Sequence, residues 1–156
     1  MEQSIKQQNN MDLLSMIGEQ FSFGEQDPKQ YSPLTLAYIG DAIYDLIIRT
    51  IIVNRGNAPV NQLHKTVSNM VKAAAQAELL HKIEPFLNEE EVAVYKRGRN
   101  AKSYTKAKNA SVVDYRYATG LEALVGFLYL NHQTERIIEL LKIGLEEIRE
   151  DKNYDE

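Results

Sequence analysis

Apolar residues return along this chain at the three- and four-residue steps of a helix, and no convincing two-residue alternation of a strand is found. Leu36, Ile39, Ile43, Leu46 and Ile47 carry the helical rhythm from Pro33 to about residue 53. Ser32 and Pro33 supply its start, since the hydroxyl caps free N–H groups and proline loses nothing at a first helical position. Asn54, Gly56, Asn57 and Pro59 then break the chain. A second helical region opens near Pro59 and reads through residues 64–80, HKTVSNMVKAAAQAELL, with a kink expected around Ser68 and Asn69. Asn88 followed by Glu89, Glu90 and Glu91 forms a capping box with acids in the first turn, opening a short helix to about Lys96. Residues 96–108, KRGRNAKSYTKAK, lack apolar periodicity and read as a loop. Ser111 and Asp114 cap a helix running to about Leu130. Thr134 and Glu135 open the last one, striped by Ile137, Ile138, Leu141, Ile143, Leu145 and Ile148. Near the start, Leu13, Leu14, Met16 and Ile17 form a short apolar patch that fits a small docking helix. The expectation is an all-α bundle, with a polar extension over residues 1–30, one domain over 31–150 and an acidic tail over 151–156.

Composition narrows the class. A chain of 156 residues, 44% hydrophobic and 26% charged, suits one domain with a real core. The absence of cysteine removes disulfides and thiolate metal sites and fits a reducing cytoplasm. The polar N-terminus MEQSIKQQNN has no secretory pattern, and no apolar run approaches the roughly 18 residues of a membrane span. A net charge of −4 speaks against nucleic acid at first sight. A phosphate-binding face needs only a local positive field, however, and the acids are unevenly spread: they crowd Glu84–Glu91 and the tail, while Val92 to Val113 holds none.

Two acids stand where acids are costly. Asp41 follows Gly40 in the middle of the mostly apolar helix 33–53, with Asp45 one turn later on the same face. From Tyr117 to Leu130 the only charged residue is Glu122. Carboxylates are seldom buried without compensation. A hard divalent cation would compensate them, because Mg²⁺ takes a few carboxylate oxygens and leaves positions for water and phosphate, the arrangement used in phosphodiester hydrolysis. The alternative is a structural acid accepting a hydrogen bond from Tyr38, Tyr44, Tyr117 or Tyr129.

LAYIGDAIYDL (36–46) resembles the signature helix of the ribonuclease III domain, and ATGLEALVGFLYLN (118–131) resembles its second catalytic helix. A lone GDA would be weak, but the two acidic motifs at this separation are specific. Together with HKTVSNMVKAAAQAELL and KRGRNAKS, the resemblance is closest to the Mini-III subfamily, which has no appended double-stranded-RNA-binding domain, and it covers roughly residues 30–148. It implies a compact helical endonuclease domain in which Asp41 and Glu122 are the catalytic acids that bind Mg²⁺, with Mn²⁺ as a substitute. Asp45 matches a frequently acidic position and takes a supporting role. Ala37 and Thr119 stand where the fuller family pattern has two more acids, so water, phosphate oxygens or the Thr119 hydroxyl must complete the ion's shell. The resemblance further implies a homodimer with a valley for duplex RNA, 5′-phosphate products, and maturation of 23S ribosomal RNA precursor ends in a bacterial cytoplasm.

The basic segment is the second candidate region. Lys96, Arg97, Arg99, Lys102, Lys106 and Lys108 are interleaved with neutral donors, a mixture suited to following a phosphate backbone; a solvated charged loop is the alternative. Lys65 and Lys72 would extend the positive surface. Glu78 and His81 form an E-x-x-H pair, but a carboxylate-bridged di-iron site needs two, and neither His64 nor His132 follows a glutamate at that spacing. An RNA-cutting enzyme has two rivals. One is a non-catalytic RNA-binding module, which Ala37 and Thr119 favour, and the other is a helical interaction protein without RNA.

Overall fold

The computed structural model describes residues 12–102 and 111–153, which form seven α-helices and no strand. They are α1 (Leu13–Gln20), α2 (Pro33–Val53), α3 (Val60–Val71), α4 (Ala73–Ile83), α5 (Glu89–Asn100), α6 (Val112–Leu130) and α7 (Thr134–Asn153). Single 3-10 turns at Pro28–Gln30 and Glu84–Phe86 sit before α2 and α5. The all-α expectation holds, and so do three of its caps. Ser32 Oγ accepts from the Thr35 N–H, Ser111 Oγ accepts from the Asp114 N–H, and Asn88 and Glu91 form the reciprocal box.

Helix α6 is the axis of the molecule. From Ala118 to Leu128 every residue is buried except Glu122, which is half-buried. Helices α2, α5 and α4 pack around it, and α7 closes over α4. Helix α2 meets α6 backbone to backbone: a β-carbon on Gly40 would overlap the Glu122 carbonyl oxygen, and one on Gly126 would overlap the Leu36 carbonyl oxygen. The buried stripe of α2 is therefore Leu36, Gly40, Tyr44, Ile48 and Ile52 at strict four-residue steps. Ile39, Ile43 and Ile47 are only half-buried and Leu46 is exposed, so of the apolar rhythm read from sequence only Leu36 lies on the true contact line.

Two boundaries differ from expectation. Helix α5 does not stop near Lys96 but continues to Asn100, so the first part of KRGRNAKSYTKAK is helical rather than a loop. The reason is Gly98, which is buried against the Gly120 Cα and the Thr119 carbonyl of α6. A helix that presents a glycine to its neighbour shows no apolar signal there. The kink expected at Ser68–Asn69 lies instead at Lys72, whose ψ of 154° is extended. There the Tyr44 hydroxyl donates to the Met70 carbonyl at 3.2 Å, and Gln76 Nε2 donates to the Val71 carbonyl at 2.7 Å. Two side chains thus satisfy the carbonyls that a continuous helix would have bonded internally.

Candidate active site

Asp41 and Glu122 come together because α2 and α6 touch at Gly40. The glycine precedes Asp41, and its missing side chain is replaced by the backbone of Glu122 itself. Asp41 is exposed at the rim, while Glu122 lies deeper. Burial first, and then the negative charge of Asp41, push the Glu122 carboxyl up to about 8. Partial burial and the charge of Asp45 raise Asp41 as well. Each carboxylate is therefore electrostatically uncomfortable, and among the described residues no cationic side chain forms an ion pair with either. Asp45, one turn along, is paired with Arg49 at 2.7 Å.

The tyrosine alternative is answered by these contacts. Tyr44 stands within electrostatic reach of Glu122 but donates its hydroxyl to the Met70 carbonyl. Tyr38 is 82% exposed, Tyr117 packs against His81 and under Arg99, and Tyr129 lies near Asp12. The polar side chain that stands beside Glu122 is Gln76, which favours the ionised carboxyl and pulls against the upward shift. Sequence reading missed Gln76, a neutral residue in an alanine-rich helix. It also missed Arg136, which grips the buried Glu91 with Nε and Nη2 at 2.9 Å each and donates to the Phe86 carbonyl.

Ala37 and Thr119 are both buried one turn before the two acids, and the Thr119 hydroxyl donates to the Tyr115 carbonyl at 3.0 Å. Among the described residues no three His, Asp or Glu side chains converge. The donor set of Asp41 and Glu122 nevertheless suits a hard dication, which asks for few protein ligands and would offset the burial and like charge that raise both acids.

The basic residues divide into groups. Lys96, Arg97 and Arg99 lie near the end of α5, and Lys102 follows it. Arg99 is half-buried, with its guanidinium 5.9 Å from the Tyr95 ring centre and 5.7 Å from that of Tyr117. Lys65 on α3 and Lys72 at the α3–α4 break are exposed. Lys106 and Lys108 lie outside the described residues.

A family model described as the ribonuclease III domain matches residues 34–133, a span that contains both acids and the backbone contact between their helices. This chain belongs to the ribonuclease III family. It is 52% identical to the Mini-ribonuclease 3 of Clostridium tetani over 128 residues, covering 81% of this chain and 83% of that protein. It is 47% identical to the Mini-ribonuclease 3 of Enterococcus faecalis, covering 80% of this chain and 96% of the relative. The crystal structure of a Fusobacterium nucleatum protein superposes with a TM-score of 0.70 at 34% identity, covering 78% of this chain and 98% of the other. The protein is accordingly a ribonuclease, a hydrolase acting on RNA, and no helix among its described residues is long and apolar enough to cross a membrane.

Proposed function

We propose that this ribonuclease is a Mg²⁺-dependent endonuclease of double-stranded RNA in which Asp41 and Glu122 hold the metal, Mn²⁺ being able to replace it. The observation that carries the reading is the pair itself: two carboxylates from two helices, both raised by burial and mutual or neighbouring charge, with no ion-paired cation among the described residues. Bound there, Mg²⁺ would supply activation of water and charge stabilisation on the scissile phosphate. The protein's own contribution is to fix both carboxylates through the Gly40 contact and to leave Asp41 open to substrate. Products carry 5′-phosphate and 3′-hydroxyl ends. The basic end of α5, with Lys65 and Lys72, lies along the RNA backbone. The working form is a homodimer in the cytoplasm, and the substrate is 23S ribosomal RNA precursor, the roles that membership of this subfamily favours.

Ala37 and Thr119, which supply no carboxylate, favour a second reading in which the domain binds RNA without cutting it. One experiment separates the two: long duplex RNA is incubated with the protein in Mg²⁺ or in chelator. The expected outcome is cleavage in Mg²⁺ alone, abolished by Asp41→Asn and by Glu122→Gln, with the fold and RNA affinity retained. Binding without cleavage under all metal conditions selects the second reading, and near wild-type cleavage by either variant overturns the assigned site.

A further inference from the structure

We propose that Gln76 is a positioning residue of the active site: its amide holds the Glu122 carboxylate from behind, and the break between α3 and α4 anchors that amide. The inference rests on the reading of Asp41 and Glu122 as the metal-holding pair. Gln76 is a polar residue of α4 and is only 3% exposed. Its Nε2 donates to the Val71 carbonyl at 2.7 Å and its side chain stands beside Glu122, where it favours the ionised carboxyl, while Oε1 has no partner among the described residues. The amide is thus anchored as a donor at Val71, and its acceptor is left idle. Turning the amide over would set Oε1 against the Val71 carbonyl, an acceptor against an acceptor, so its orientation is fixed. A buried amide oxygen without a partner is a cost that stability alone does not explain.

The chemistry of the group fits the task. A lysine or arginine at this place would neutralise Glu122 and compete with a metal ion for it. A serine would not reach. A neutral amide orients the carboxylate while leaving its charge available, as partners standing behind metal ligands do. The anchor comes from the local fold: because Lys72 is extended, the Val71 carbonyl lacks a helical donor and receives Gln76 instead.

The test compares full-length wild type with Gln76→Met, which keeps the length and cannot donate. The expected result is a rise in the Mg²⁺ concentration for half-maximal cleavage, or a fall in kcat, of about ten- to a hundredfold, with KM for duplex RNA unchanged. The melting-temperature increase that Mg²⁺ produces in wild type should shrink in the variant. A second measurement needs no variant at position 76. In wild-type protein the Gln76 side-chain NH₂ resonances should exchange slowly with water and should move on stepwise addition of Mg²⁺, and in Glu122→Gln they should not respond. Wild-type metal dependence in Gln76→Met, or an amide signal indifferent to Mg²⁺ in wild type, overturns the proposal. If Glu122→Gln itself still cuts RNA, the underlying site assignment fails instead; if it is inactive while Gln76→Met matches wild type, only the role of Gln76 is lost.

Discussion

A single residue carries the sharpest electrostatic consequence of this fold. Glu122 ionises near 4.5 as an ordinary glutamate but near 8 in the folded chain, because burial and Asp41 both oppose its charge. Between those pH values the folded state holds a proton that the unfolded state has released. This contribution to stability is therefore fully present below about pH 4.5 and is lost as pH rises through about 8. Asp41, raised in the same way, adds to the loss. Metal-free protein is expected to melt at lower temperature at pH 8.5 than at pH 6.5, the stability difference being on the order of a few kcal/mol at most. Glu122→Gln should flatten that slope and be the more stable protein at the alkaline end. Mg²⁺ should restore wild type in proportion to pH, since it binds the ionised form. Chelator-treated melting curves at both pH values decide the matter, and identical slopes for the two proteins would remove Glu122 as the source. Glu91 acts oppositely. Burial alone would raise it, but its bonds to Arg136 and Asn88 outweigh that and hold it low, so its stabilisation disappears only in acid.

At the scale of elements, what the sequence disclosed and what it hid follow from range. Asp41 and Glu122 were legible because a charge in an apolar helix is a local anomaly. Gln76 was not, because glutamine in AAAQAELL is an ordinary helix former, and its task depends on a break held by Tyr44, 32 residues earlier in the sequence. The Arg136–Glu91 pair spans 45 positions, beyond any spacing rule. The far end of α5 was hidden because its contact residue, Gly98, has no side chain to show. The same packing yields an expectation about Gly40. Gly40→Ala drives a methyl into the Glu122 carbonyl, which cannot rotate away, so α2 and α6 must part, at a cost of about 3 kcal/mol or more. Gly24, with nothing within 4 Å of its would-be β-carbon, is the control, and Gly24→Ala should be close to neutral. Urea denaturation of both variants checks this, and an equally stable Gly40→Ala would show that the helices do not meet as described. On the RNA side, Arg99 is held by two tyrosine rings whereas Lys102 is exposed, so ordering Arg99 for a phosphate costs less. Arg99→Ala should weaken duplex binding more than Lys102→Ala at every salt concentration. Each should flatten the plot of log affinity against log salt, by up to about 0.9 for every phosphate no longer neutralised, on the B-DNA scale. Filter binding across a salt series measures it, and unchanged affinity and slope for Arg99→Ala would turn the search toward Lys65 and Lys72.

The whole molecule leaves apolar surface that one small core does not absorb. On α2, Tyr38 is 82% exposed three residues before Asp41, with Leu34 at 40% a turn earlier. Elsewhere, a groove of about 680 Å³ runs between the second half of α2, α4 and α7, lined by Leu46, Ile47, Ile51, Leu79, Ile138 and Leu145. Neither Asp41 nor Glu122 lines that groove, and Asp41 lies outside it, one helical turn from Tyr38. Exposed aromatic and leucine side chains beside an open carboxylate pair are what a symmetric contact would cover, and a two-fold axis there would bring two sites to the two antiparallel strands of a duplex. A monomer would have to cut the two strands in separate encounters. The expectation is a homodimer at micromolar concentration, with a sedimentation mass twice the 17.8 kDa of the chain. Tyr38→Asp, which places a charge in that contact while leaving Asp41 and Glu122 in place, should shift the mass to that of the monomer. It should also lower duplex cleavage without lowering the melting temperature of the isolated chain. Analytical ultracentrifugation of wild type and variant, run beside the cleavage assay, reads both quantities, and an active wild-type monomer of 17.8 kDa would dispose of the dimer.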